Sequence, residues 1–328
     1  MSFDFSDDSL VMLLLCSGLT LKNVDTELRP FTLSQWNKLS DKLIEKNYTP
    51  KDLFKIKEIQ SDLRLDEADL ERIILLLSRE GQLSLAISQL NALGINILTR
   101  ADKNYPKIYK SKLKKNSPTI LYYAGNMDLF SMANVAVVGS RNVDEDGINF
   151  TEKFVKKACE ENYNIVSGGA RGVDTIAENT ALENNGNVII FVSESLSKKV
   201  KNKNIRNAIF SNRCITVSSV HPDEHFKNYN AMDRNKYIYA ASQYSLVVSS
   251  DYKKGGTWTG AIECYKKDYS KLIIRNSNNN LPIGNKKLLE LPNVKSIMIE
   301  QLDKQHLSEM LKSNTNNQNV SIQMNLFS

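Results

Sequence analysis

The residues best suited to chemistry are glycines, hydroxyls and cations gathered at four places where a strand-like run gives way to a helix-like one. In VAVVGSR, Val135 to Arg141, an apolar run ends on Gly139, which lets a ligand approach the backbone. Ser140 adds a hydroxyl, and Arg141 sets a guanidinium at the carboxyl end of a sheet. In SGGARGVD, Ser167 to Asp174, the glycines Gly168, Gly169 and Gly172 leave backbone N–H groups free to converge on an anion at a helix start. Arg171 lies among them, and Asp174 falls in the first helical turn, where an acid also suits the dipole. In DRNKYIYAAS, Arg234, Asn235 and Lys236 place positive charge at the expected start of a helix near Asn235, an unfavourable position unless an anion sits there. In GGTWTGA, Gly255, Gly256, Thr257 and Thr259 form a last loop of the same kind. The shared chemistry is phosphate binding, and four such loops predict one cationic rim.

A further basic run, SKKVKNKNIR, carries Lys198, Lys199, Lys201, Lys203 and Arg206 just after a strand and is expected on that rim. Each phosphate these residues neutralise releases counterions, so affinity for a nucleic acid should fall with salt. Tyr229, Tyr237 and Tyr239 offer faces on which bases can stack, although a helical tyrosine is as often a core residue.

The catalytic motifs searched for are missing. The chain has no G-x-x-x-x-G-K-[ST] and no G-x-S-x-G, and SGGARGVD is not G-x-G-x-x-G. His221 and His225 have H-x-x-x-H spacing, but Pro222 interrupts them and no third ligand follows, so neither metal nor cofactor is expected. One enzymatic alternative stays open: Asp174 and Glu263 as an acid pair beside a bound nucleotide.

These loops need a scaffold. From Val135 the chain alternates apolar strands with helices: VAVVGS, a helix from Ile148 to Glu161, NIVSGG, a helix from Val173 to Glu183, then NVIIFVS. SLVVSS (245–250) and KLIIRN (271–276) continue the series around a helix expected near Thr259. Right-handed crossovers put helices on both faces of a parallel sheet, so the predicted class is α/β, doubly wound and Rossmann-like. Residues 1–94 read as an all-α module: Thr49-Pro50-Lys51-Asp52 starts a helix and Gly94 stops one. The α/β domain is expected over 95–312, with 313–328, rich in Asn and Gln, as a flexible tail.

The 328 residues carry a formal charge of +6, which permits an anionic partner without demanding one. With 41% hydrophobic residues and no long apolar run, a membrane span is not expected. Acids rather than bases precede the apolar VMLLL, which argues against a secretion signal and for a cytoplasmic protein. The four cysteines are widely spaced, unlike a zinc site or a disulfide framework.

In their order, VGSR, SGGARGVD, RNKYIYAAS and GGTWTGA resemble the signatures of the DprA/Smf family of bacterial DNA-processing proteins, and NYPKIYKSKLKKNSPTILYYAGN is similar to that family's lead-in. The likeness spans about residues 95–290. It implies an extended Rossmann fold that binds single-stranded DNA in a basic pocket, acts in transformation or recombination by loading a RecA-type recombinase, and forms a homodimer. Arg141 then matches the pocket arginine, and Arg234 and Lys236 the RNR signature, with Lys236 replacing an arginine. Trp258 stands where the family commonly has small residues, as in a GGTW-type branch, and no winged-helix module follows. Gln323, Met324, Leu326 and Phe327 in QMNLF resemble the short peptide that docks on the DNA sliding clamp. Two alternatives remain open: a nucleotide-binding or nucleotide-hydrolysing enzyme, and a defence-type sensor or scaffold.

Overall fold

The structure, a computed structural model, describes residues 5–21, 28–278 and 280–312. Gln323, Met324, Leu326 and Phe327, with the rest of 313–328, lie outside the described residues. The first part is helical, as its amphipathic runs predict: α1 (Asp7–Cys16), α2 (Leu33–Glu45), α3 (Ile56–Leu63), α4 (Glu67–Leu77) and α5 (Glu80–Ala92). Thr49 and Asp52 do start a helical segment, with the Asp52 carboxylate accepting from the Thr49 N–H at 2.7 Å. It is a 3-10 helix, Pro50–Lys55, that leads into α3. Gly94 ends α5 with φ +73°, and Ile95 N–H closes back on the Leu90 carbonyl at 3.0 Å.

The strands are β1 (Asn96–Thr99), β2 (Ile120–Gly125), β3 (Asn134–Val138), β4 (Asn164–Ser167), β5 (Val188–Val192), β6 (Cys214–Ser218), β7 (Tyr244–Val247), β8 (Lys271–Arg275) and β9 (Lys295–Ile297). Between them run α6 (Lys107–Lys112), α7 (Glu145–Glu160), α8 (Val173–Glu183), α9 (Leu196–Lys199), α10 (Lys203–Phe210), α11 (Asn228–Ala240), α12 (Gly255–Lys267) and α13 (Ile283–Leu289). The short α14 (Gln301–Lys304) and α15 (Leu307–Lys312) follow β9. One sheet holds all nine strands in the order β1-β2-β6-β5-β4-β3-β7-β8-β9. From β6 to β9 every pairing is parallel, and only β1–β2 and β2–β6 are antiparallel. The strand order reverses at β3, with β4 on one side and β7 on the other, so ligands are expected outside the carboxyl ends of these strands.

Alternation along each strand builds two cores. Val135, Val137, Ile165, Val188 and Ile190 face α7 and α8, meeting Phe150, Phe154, Val173 and Ala177. Ala136, Val138, Val166, Ile189 and Phe191 face the other way, onto Tyr109, Tyr237, Tyr239 and Trp258. Residues of α1 are shared: Leu13 and Leu14 join the first sheet core, whereas Val11, Met12 and Leu15 join the core of α2 to α4. Arg79 fastens the join by donating to the carbonyls of Leu14 and Ser17.

Three helix starts differ from expectation, α7 beginning at Glu145 rather than Ile148. The helix expected near Asn235, α11, begins at Asn228, seven residues earlier, because the turn containing Tyr229 and Met232 projects into solvent and shows no apolar period. Likewise α12 begins at Gly255 rather than near Thr259. Among the described residues no helix is long and apolar enough to cross a membrane.

Candidate functional site

At the carboxyl ends of the central strands the four loops meet, lining two adjoining clefts that share Arg141, Ala170 and Arg234. The first cleft, about 630 Å³, is walled by Gly168, Gly169 and Arg171 from the loop after β4, and by Glu194, Lys198, Lys199 and Asn202 around α9. Arg141 and Phe226 face each other across it, the guanidinium carbon 5.4 Å from the ring centroid. Five cations against the single acid Glu194 make this lining strongly positive. Arg141, Arg171 and Lys198 are exposed and form no ion pair among the described residues.

Buried charge holds these walls in place. Glu178, 3% exposed on α8, accepts the Gly169 N–H at 2.7 Å and pairs with Lys199 at 2.9 Å. It thereby ties the β4 loop to α9. One turn earlier, Asp174 accepts from the Ala170 N–H at 3.3 Å. Burial pushes its carboxyl up to about 6, against the pull of Arg234 and with a further push from Glu178. Arg234 donates from Nη1 to the Phe191 carbonyl at 2.7 Å, and burial lowers its own pKa despite the nearby Asp174.

The second cleft, about 660 Å³, lies at the β3/β7 reversal. Gly139, Ser140 and Asn142 form one side, Asn228, Met232 and Asn235 of α11 another, and Lys254, Gly255, Gly256, Thr257 and Thr259 a third. Asn235 Nδ2 donates to the Gly256 carbonyl at 3.1 Å, locking α11 to the start of α12.

Several residues have a role other than the expected one. Gly139 makes room for α8, since a Cβ there would stand 2.5 Å from Val173 Cγ2. Gly172 lets two loops touch, its Cβ position being 2.4 Å from the Ser140 carbonyl oxygen. Ser167 is buried and donates to the Val137 carbonyl at 3.0 Å, and the Ser140 hydroxyl accepts from Asn142 N–H at 3.1 Å. Thr259 donates back to Gly255 at 3.2 Å. The dipole argument for Arg234 and Lys236 fails, because both sit in the middle of α11. Lys236 pairs with Asp233 and lines neither cleft, and Lys201 is also absent from both linings. Tyr237 and Tyr239 are 2% and 1% exposed, leaving Tyr229 at 65% as the aromatic of the three that faces solvent. The acid pair proposed for an enzyme is not assembled, since Glu263 accepts from the Tyr269 hydroxyl at 3.2 Å and lines neither cleft. Trp258 packs edge-on against Tyr252, 5.0 Å between centroids, as a core residue. Glu178 and Phe226 went unrecognised in the sequence; the spacing of Glu178, four residues after Asp174 on one helix face, was the available signal.

Comparison with known proteins agrees with this geometry. Residues 96–290 match the family described as DNA recombination-mediator protein A. The DNA processing protein DprA of Streptococcus pneumoniae is 32% identical over 146 residues, 44% of this chain and 51% of that protein. The protein of the same name from Bacillus subtilis is 27% identical over 168 residues, 51% of this chain and 56% of that protein. The chain thus spans about half the length of the curated relatives it matches. The X-ray structure of the Streptococcus pneumoniae protein superposes with a TM-score of 0.59 at 22% identity, covering 84% of this chain and 98% of that one. A structure of DNA processing protein A from Helicobacter pylori, described for its single-stranded DNA binding mode, gives 0.53 at 24% identity over 64% of this chain and 94% of that one. Both likenesses support the doubly wound fold, and the match over residues 96–290 carries the conclusion that this chain belongs to the DNA recombination-mediator protein A family.

Proposed function

We propose that this chain is a DNA-processing protein that binds single-stranded DNA in the first cleft and hands the strand to a RecA-type recombinase during transformation or recombination. It acts by binding rather than by catalysis. The observation that carries the reading is the set of cations without an ion pair among the described residues, Arg141, Arg171 and Lys198, gathered around one cleft with Phe226 exposed among them. Cations tracking a backbone beside an aromatic face suit a strand whose bases are unpaired, and they recognise no particular sequence. The backbone N–H groups of the Gly168–Gly172 loop supply further donors for phosphate oxygens.

Fluorescence anisotropy with labelled oligo-dT across a salt series tests this. Tight binding that weakens steeply with salt is expected, with lower affinity and a shallower salt dependence in Arg141→Ala; binding indifferent to salt would remove the reading. The proposal extends to a homodimer and to a sliding clamp engaged through Gln323, Met324, Leu326 and Phe327. Deleting residues 323–328 should abolish co-elution with the clamp and leave oligo-dT affinity unchanged.

A further inference from the structure

We propose that the second cleft is a binding site for a terminal phosphomonoester, carried by a free nucleoside monophosphate or by the phosphorylated end of a strand. Three observations converge on it. First, α12 is 13 residues long and its N-cap, Lys254, makes no side-chain cap, which leaves its first-turn N–H groups without that partner, and Gly255, Gly256 and Thr257 all line the cleft. Side chains do not obstruct that approach, as a Cβ built on Gly255 meets nothing within 4 Å.

Second, two residues that line the same cleft each carry a deeply buried polar atom with no hydrogen-bond partner among the described residues: the Tyr239 hydroxyl and Arg234 Nε. Their residues are 1% and 6% exposed. Buried donors without partners are uncommon in folded proteins, and a ligand in this cleft would bring acceptors to the residues that carry them. Third, the cleft occupies the strand-order reversal beside β3 and β7, the usual ligand position of an open doubly wound sheet.

The chemistry selects among phosphates. Apolar Val138 and Ile238 lie among the lining residues and are 7% and 2% exposed, so the cleft has a closed floor. A diester inside a strand needs room for chain on both sides, whereas a terminal group can enter end-on. Three terminal oxygens suit the helix N–H groups, the Tyr239 hydroxyl and the Lys254 ammonium. Asp174 and Asp251 line the same cleft, and their carboxylates suit the hydroxyl and amine donors of a nucleoside while opposing a second phosphate. A monophosphate is therefore preferred over a diphosphate.

Calorimetric titration of the full chain with dTMP, thymidine and dTDP tests the site, alongside anisotropy with oligo-dT bearing either a 5′-phosphate or a 5′-hydroxyl. Thymidine is expected to bind about tenfold or more weakly than dTMP, and dTDP more weakly than dTMP. Tyr239→Phe should weaken dTMP about threefold or more without lowering the melting temperature, and should leave affinity for the 5′-hydroxyl oligonucleotide unchanged. Lys254→Ala, at an exposed position, provides the same readout should Tyr239→Phe fold poorly. Tighter binding of the 5′-phosphorylated strand with competition by dTMP assigns the site to strand ends; dTMP binding with no gain from the strand phosphate assigns it to free nucleotide. The proposal is overturned if dTMP and thymidine bind alike, or if neither binds and the strand phosphate adds nothing. It is equally overturned if both substitutions leave dTMP affinity intact. Failure of the DNA reading is seen separately, in the 5′-hydroxyl oligonucleotide.

Discussion

Gly168 and Arg234 interlock: a Cβ on the glycine would stand 1.7 Å from Nη1 of the arginine and 2.6 Å from an oxygen of Asp174. The bare backbone at Gly168 is what lets a mid-helix arginine reach the Phe191 carbonyl beneath the loop. Gly168→Ala must therefore displace the guanidinium or the loop. Such overpacking costs roughly 1–3 kcal/mol. Urea unfolding should show an earlier midpoint, and oligo-dT affinity should fall with it; an unchanged midpoint would mean the contact has slack.

Arg141 and Lys236 separate by charge environment. Arg141 faces the first cleft and forms no ion pair among the described residues, whereas Lys236 is held by Asp233 away from both linings. For a single strand each phosphate neutralised contributes a salt slope of about 0.7. Arg141→Ala should flatten the slope of log affinity against log salt by about that amount. Lys236→Ala should leave it where it was, and an equal loss from both would remove this distinction.

Asp174 makes stability depend on pH. Burial raises its pKa from 3.8 to about 6, so the folded state holds the proton more tightly than the unfolded one. The stabilisation that results is complete below the unfolded value and is lost as pH rises through about 6. The difference amounts to about 3 kcal/mol. Asp174→Asn should flatten the unfolding profile between pH 4 and 6, the window set by those two values. In the same window, protonation removes the negative charge that sits against Arg234, a residue of both clefts, so oligo-dT affinity in the wild type should rise as pH falls, and less so in Asp174→Asn.

Glu178 anchors both the Gly169 N–H and Lys199 from a buried position. Glu178→Ala strands a cation and an amide together, a loss of about 3 kcal/mol for a buried pair broken on one side. Chemical denaturation should register it. Replacing Glu178 and Lys199 together should recover part of the loss, and full additivity of the two substitutions would show that they do not interact.

Much of this arrangement was legible in the sequence because it depends on short-range signals. The run Val135–Val138 followed by Gly139 marks a buried strand and its turn, and α8 was bounded at Val173 and Glu183 as observed. Convergence of the loops followed from the alternation of strand and helix, since parallel strands deliver all their carboxyl ends to one rim. What escaped was set by tertiary context. Lys227 caps α11 with no side-chain hydrogen bond, so nothing local announced the helix that places Arg234 in its middle. Gly139 and Gly168 read as ligand contacts, while their neighbours prove to be Val173 and Arg234. The antiparallel pair β1–β2 rests on contacts with β6, almost a hundred residues further on, which no window of sequence contains.

The first helix has consequences for how this protein can be dissected. Leu13 and Leu14 cover the sheet while Val11, Met12 and Leu15 serve the helical bundle, so one ten-residue segment completes two interiors. A truncation that starts at Ile95 would strip the outer strands of their cover and bare an oily face. Bundle and sheet should melt in a single calorimetric peak, and strain applied to one half has a rigid route into the other.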